Sequence, residues 1–217
     1  MVRDNNILYL IYEYMHMSLL DYMKKYPVTR RDPADVRDIM YVARRAAMSK
    51  SSDSLSTPMC LTSPARGRYQ IVLATAAIHG QQFMHRDIKP ENVLLSADLR
   101  TVKLADFGQA RRHEGTGAYT TAVSTLWYQA PEVLLALPYG PAMDVWAVGC
   151  ILGELHYGDA LMQGKSALDQ MAKMVALLGP PTPSTWPDGA KEMRRSGLRL
   201  EVRTTLGHSL ERCGWLT

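Results

Sequence analysis

Residues 83–95, FMHRDIKPENVLL, set two acids (Asp87 and Glu91), a lysine, an arginine and an amide inside a segment that otherwise reads as core. A buried charge is expensive unless it is paired and hydrogen-bonded. The chain can therefore adopt only a fold in which other segments supply partners, or a use, for those groups.

The flanking sequence shows what surrounds them. QIVLATAAIHGQQF (70–83) is apolar and predicts a helix. NVLLS and TVKLADF predict two short strands around a turn at 97–100. APEVLLAL, PAMDVWAVGCILGELHYG and SALDQMAKMVALLG predict helices, the second largely buried. Upstream, ILYLIYEYM (7–15) predicts a buried strand. SLLDYMKKY (18–26) predicts a helix capped by Ser18, and DPADVRDIMY (32–41) one capped by Asp32 with Pro33 in its first turn. GPPTPSTWPDG (179–189) predicts a proline-rich loop, and the tail from Ala190 has no firm periodicity.

Residues 42–69 differ in kind. Eight of these 28 residues are Ser or Thr and two are Pro, a composition that reads as loop or disorder. The segment also accounts for much of the basicity. It carries five Lys/Arg against Asp53, and residues 190–217 carry six against three Glu; these stretches hold +7 of a net +4, leaving −3 elsewhere. Charge so distributed forms no basic stripe and excludes nucleic acid as the expected partner. No apolar run approaches the length of a membrane-spanning helix, and MVRDNN lacks the apolar stretch of a signal peptide. Cys60, Cys150 and Cys213 are too scattered for a disulfide framework or a zinc cluster, which fits a reducing, intracellular setting.

The chemistry rests on spacing. Asp87 is followed two residues later by Lys89 and five later by Asn92; Asp106 sits in ADFGQA; Ala130–Glu132 closes the segment as APE. Phosphoryl transfer needs such a set: a carboxylate to accept a hydroxyl proton, a cation beside the transferred group, and oxygen ligands for magnesium. HRDIKPEN, DFG, APE and DVWAVGC, in that order, resemble the catalytic loop, metal loop, activation-segment end and following helix of eukaryotic protein kinases. STLWYQAPE and LLGPPTPSTWPDG are similar to the cyclin-dependent and mitogen-activated group, and within it to the male-germ-cell-associated, ciliary type. The resemblance covers residues 7–41 and 70–189.

The resemblance implies an α+β, protein-kinase-like fold: a mainly helical large lobe with a remnant of the small-lobe sheet at residues 1–15. It divides the chain into a partial kinase domain over 1–189 and a divergent tail over 190–217, with 42–69 a disordered insertion or a gene-model artefact. The implied function is transfer of the ATP γ-phosphoryl group to protein Ser/Thr hydroxyls, with ATP and Mg²⁺ as cofactors. The alternative is an inactive, kinase-derived interaction module or a truncated gene product, because no GxGxxG occurs in the sequence. By position, Asp87 resembles the catalytic base and Lys89 the phosphate-screening lysine. Asn92 and Asp106 resemble the magnesium ligands. Tyr12 falls at the gatekeeper, Glu13 and Met15 at the adenine-binding hinge, and Leu94 at the floor of the adenine pocket. Arg86 would pair with a phosphate on Thr120, placed there by an upstream activating kinase. His85 and Phe107 are expected to pack, and Asp144 and Trp146 to be structural. Protein substrates are the implied partners, with no membrane; the cytoplasm is the implied location, with cilium, flagellum or nucleus as further sites. Four positions depart from the pattern: Ala122 where a phosphorylated tyrosine is usual, Leu126 and Gln129 where arginines are usual, and Gln109 where an apolar residue is usual.

Joining Tyr41 to Gln70 restores a continuous helical pattern, DVRDIMYQIVLATAAIHGQQF. Deleting 42–69 is therefore expected to leave the thermal midpoint unchanged or raised, since closing a long loop costs conformational entropy. A lowered midpoint in a melting experiment would overturn this reading.

Overall fold

In the computed structural model the residues described are 2–4, 7–9, 12–28, 70–113 and 125–195. The helix expected at 32–41, the 42–69 segment, Thr120 and Ala122, and the chain beyond Arg195 lie outside them.

Strands β1 (Val2–Asp4) and β2 (Ile7–Tyr9) form an antiparallel hairpin in which Val2 faces Tyr9 and Asp4 faces Ile7. The single buried strand expected over 7–15 is thus shorter. Residues 12–15 have no strand partner among the described residues, and Tyr12 and Tyr14 are 79% and 85% exposed. Their aromatic character suits a strand covered by neighbours, and here nothing described covers them.

Strand β3 (Met17–Ser18) leads directly into α1 (Leu19–Lys25). Ser18 caps this helix as expected. Its Oγ accepts the Asp21 N–H at 3.1 Å, and the Asp21 carboxylate accepts the Ser18 N–H and hydroxyl. That hydroxyl bond, first, holds the Asp21 carboxyl below its ordinary value. Reciprocal bonding of this kind satisfies donors that a helix start leaves open.

Helix α2 (Gln70–Gly80) packs on the strand Val102–Leu104 and on the buried helix Ala142–Tyr157. Gln70 fixes its first turn: the side-chain amide donates to the Arg100 carbonyl and accepts the Val102 N–H. Strands β4 (Phe83–Met84) and β7 (Arg111–Arg112) pair, and β5 (Val93–Leu95) runs antiparallel between β3 and β6 (Val102–Leu104). The two-strand reading around a turn at 97–100 holds, the turn being closed by Ser96 and Asp98.

After the short helix α3 (Pro131–Leu134) comes α4 (Ala142–Tyr157), the axis of the molecule. Met143, Ala147, Val148, Ile151 and Leu155 are buried, as its largely apolar sequence predicts. Leu19, Ile88, Val93, Ile151 and Leu155 belong to the main core; Met84, Ala130, Val133, Tyr139 and Met143 form a second cluster. Trp146 packs against both. Helix α5 (Ala167–Leu178) buries Gln170, Met171, Met174 and Val175, one face at helical spacing. Gln170 is a tie: its Oε1 accepts the Gly164 N–H at 2.8 Å, and its Nε2 donates to the Trp127 carbonyl at 3.2 Å. The Trp127 indole N–H in turn donates to the Gly164 carbonyl.

The expected loop over 179–189 ends early. Helix α6 (Pro187–Arg195) starts at Pro187 and runs into the stretch read as aperiodic. Its buried face is Gly189, Ala190 and Met193, two of them too small to register as an apolar stripe. Gly189 is required there, since a Cβ would lie 2.1 Å from the Trp186 ring.

Within the main core, the Tyr128 hydroxyl donates to Glu154 Oε2 at 2.7 Å. Burial, then this bond and the Glu154 charge, raise the phenol's pKa. Burial first, and Glu154 second, push the Cys150 thiol from an ordinary 9.0 up to about 12. Both groups stay protonated in the folded chain after the unfolded chain has lost the proton. The stability they contribute is whole below the unfolded value and is lost as pH rises; for Cys150 the window is 9 to about 12. Urea-denaturation stability should fall by about 1.4 kcal/mol per pH unit for each such group, from pH 9.0 for Cys150 and from pH 10.0 for Tyr128. Cys150→Ala should flatten the slope by one group's share; an unchanged slope would show that Cys150 titrates alike in both states.

Candidate active site

The loop between β4 and β5 gathers the charged residues of 83–95. Its backbone is held from α4. Asp144, 1% exposed in the first turn of that helix, accepts the His85 N–H on Oδ2 at 2.8 Å and the Arg86 N–H on Oδ1 at 2.9 Å. His79 of α2 donates to the same Oδ2 at 2.8 Å. Asp144 was expected to be structural, and it is, but its target is the loop backbone. His79 escaped notice in the sequence, where a lone histidine at a helix end carries no distinguishing signal.

Held in this way, Arg86 takes a left-handed backbone (φ 70) and is 4% exposed. Its guanidinium lies 5.8 Å from the centre of the Tyr139 ring, a cation–π contact with the second cluster. Asp87 follows, 6% exposed. Its Oδ2 accepts from Lys89 Nζ at 2.8 Å and from Asn92 Nδ2 at 3.2 Å, while Asn92 Nδ2 also donates to the Asp87 carbonyl at 2.9 Å. The other carboxylate oxygen, Oδ1, is buried with no hydrogen-bond partner among the described residues. The three expected catalytic residues are thus in direct contact, with one acceptor atom uncommitted.

Asp106 is brought to this loop through its neighbour. The Ala105 N–H donates to the Asn92 carbonyl at 2.8 Å, and the Ala105 carbonyl accepts from His85 Nε2 at 3.0 Å. His85 Nδ1 faces the Asp87 N–H, which places the ring proton on Nε2. The Phe107 ring sits 4.8 Å from the His85 ring, so both residues pack as expected, although Phe107 is half exposed. Asp106 itself is exposed and left-handed (φ 61), and its side chain accepts the Gly108 N–H. A Cβ on Gly108 would come to 3.1 Å from Asp106 Oδ1, a crowding that glycine avoids.

The expected adenine-site residues are placed as follows. Leu94 is half-buried on β5, opposite Ser18 and Lys103, two residues after Asn92. The segment of Tyr12, Glu13 and Met15 joins the same sheet at its end, where the His16 N–H donates to the Leu95 carbonyl at 2.8 Å. Glu13 pairs with Lys103 of β6. Met15 is half-buried, and the Tyr12 side chain stands in solvent.

For a metal, the donors at hand are hard oxygens. Asn92 commits its amide nitrogen to Asp87, which leaves its Oδ1 for a cation, and Asp106 offers a carboxylate from an exposed turn. Among the described residues no three His, Cys, Asp or Glu converge as a metal cage. An amide oxygen and one carboxylate suit magnesium, which keeps several waters and takes substrate phosphates as further ligands.

This geometry defines a class. The chain belongs to the protein kinase domain family, whose sequence pattern matches residues 1–199. It is 38% identical over 189 residues to serine/threonine-protein kinase ICK of Rattus norvegicus, covering 87% of this chain and 25% of that protein. It is 39% identical over 190 residues to serine/threonine-protein kinase MAK of the same organism, covering 87% of this chain and 26% of that protein. Cyclin-dependent kinase F-3 of Oryza sativa subsp. japonica is 48% identical over 132 residues, 60% of this chain and 30% of that protein. The chain thus spans about a quarter to a third of the length of these relatives. No described helix is long and apolar enough to cross a membrane.

Asp144→Ala would strip the His85 and Arg86 amides and the His79 ring of their acceptor. A buried donor left unpaired costs about 1–3 kcal/mol, so urea denaturation should show a loss of about 3 kcal/mol or more. A loss below about 1 kcal/mol would mean that the loop backbone is held by something else.

Proposed function

We propose that this chain is the catalytic part of an ATP-dependent protein serine/threonine kinase, acting on Ser or Thr hydroxyls of protein substrates. The observation that carries the reading is the division of labour within one buried carboxylate. Asp87 Oδ2 is held by Lys89 and Asn92, while Oδ1 is left without a partner. An acceptor hydroxyl would meet Oδ1, which takes its proton, and the fixed Oδ2 prevents the carboxylate from turning away. Lys89, already against Asp87, is placed to screen negative charge on the transferred group. Magnesium–ATP supplies the phosphoryl group when bound; Asn92 and Asp106 would hold the ion. The backbone at Glu13 and Met15, with Tyr12 and Leu94 beside it, would hold the base. Arg86 and Thr120 complete the proposal as a regulatory pair, in which an upstream kinase modifies Thr120.

The competing reading is an inert kinase-derived interaction module. A titration with a fluorescent ATP analogue separates the two. Weak binding that strengthens with Mg²⁺ and falls at least about fivefold in Asp106→Asn is expected, because the removed charge is one of few hard ligands. Binding indifferent to both Mg²⁺ and Asp106→Asn would remove the site assignment, and no binding at all would favour the inert module.

A further inference from the structure

The turn between α5 and α6 carries chemistry that the candidate active site does not use. Gly179 (φ 84) ends α5, and Pro180, Pro181, Thr182 and Pro183 follow before the turn at 183–185. Thr182 and Pro183 are both exposed, and Thr182 is the only Ser or Thr followed by proline among the described residues. We propose that Thr182 is a phosphorylation site for a proline-directed serine/threonine kinase, and that the groups already gathered at its Oγ1 hold the phosphate once it is attached.

The backbone favours recognition. Prolines at 180, 181 and 183 fix their own φ at about −65° and push the residue before each of them, Thr182 included, toward extended backbone, so the segment is restricted before any partner meets it. A peptide so restricted loses less conformational entropy on binding than a flexible one. The prolines also have no N–H to release. Thr182 alone among residues 180–183 has an amide to give up, and that amide donates to Thr185 Oγ1 at 2.9 Å. What must open is a short exposed turn, tied by the Thr185 and Trp186 amides to the Thr182 carbonyl. Turns with few buried contacts sit at the low end of local stability.

The transfer is a simple exchange. Thr182 Oγ1 attacks the γ-phosphorus of ATP bound to the acting kinase. An Oγ1–P bond forms, the bridging bond to the β-phosphate breaks, ADP leaves, and the hydroxyl proton passes to the acting kinase's carboxylate base. In the unmodified chain Thr182 Oγ1 lies 2.8 Å from Ser184 Oγ and 3.0 Å from Thr185 Oγ1, and accepts the Thr185 N–H at 3.1 Å. Two hydroxyls and one amide are therefore placed to donate to phosphate oxygens, which are stronger acceptors than a hydroxyl. Asp188, in the first turn of α6, acts in the opposite sense by repulsion.

The test uses the whole 217-residue chain. It is incubated with a purified proline-directed kinase, shown to be active on a Thr-Pro peptide, and Mg-ATP; phosphates are then counted by intact mass and located by fragmentation. Thr57-Pro58 and Ser63-Pro64 are the other two such pairs in the sequence and serve as internal comparison. Phosphate on Thr182 in most molecules is expected, with its loss in Thr182→Ala and a drop of about tenfold or more in Pro183→Ala, the residue recognised beside the acceptor. A phosphatase should then remove it about threefold or more slowly from the parent than from Ser184→Ala or Thr185→Val, since those donors are gone. An unmodified Thr182 beside an active peptide control overturns the site, whatever happens at Thr57 and Ser63. Equal phosphatase rates overturn the holding role of Ser184 and Thr185.

Discussion

One carboxylate organises this molecule. Asp144 projects from the buried helix α4 and takes, on its two oxygens, the amides of consecutive residues in the loop that carries Asp87. Burying an ion is costly, and three donors around a residue 1% exposed are what offset it. The result is a rigid link from core to chemistry. The same helix packs into the main core through Ile151 and Leu155, and meets the second cluster through Met143. The loop therefore inherits its position from the most enclosed element of the fold, although the loop itself has no regular structure beyond the turn at Pro90–Asn92.

A second link joins the two loops that would share the work. Ala105 contributes nothing but backbone, yet its amide bonds to Asn92 and its carbonyl to His85. Asp106 is thus positioned by a residue whose side chain is a methyl group. With Asn92 also tied to Asp87, a displacement at either loop is felt at the other. A site in which two functional groups must sit at fixed separation gains from such shared hydrogen bonds, because they add order without adding charge.

Much of this was legible in the sequence, for reasons that differ from element to element. The spacing of Asp87, Lys89 and Asn92 placed three side chains on one tight loop, where contact follows from proximity. Ser18 announced a helix start, and the strands at 93–95 and 102–104 showed themselves by β-branched residues around a polar turn. Long-range partners were hidden. His79 lies 65 residues from Asp144, and nothing local to either predicts the pair. Helix α6 was missed because two of the three residues on its buried face, Gly189 and Ala190, are small, and at Gly189 a Cβ would run into the Trp186 ring. The strand assigned to 7–15 failed over residues 12–15, since propensity describes what a segment suits and burial depends on what surrounds it.

Arg86 and Asp106 share a property with a longer reach. Both hold left-handed backbone angles without being glycine, a conformation that costs an ordinary residue about 1–2 kcal/mol. The proposed chemistry uses their side chains; geometry demands a backbone those side chains resist. At these two positions selection for durability and selection for activity pull apart: glycine would relieve the backbone and empty the site. A lineage of this chain released from catalytic duty would have a downhill path open at the residues that matter most, and its drift would begin in the site rather than in the core.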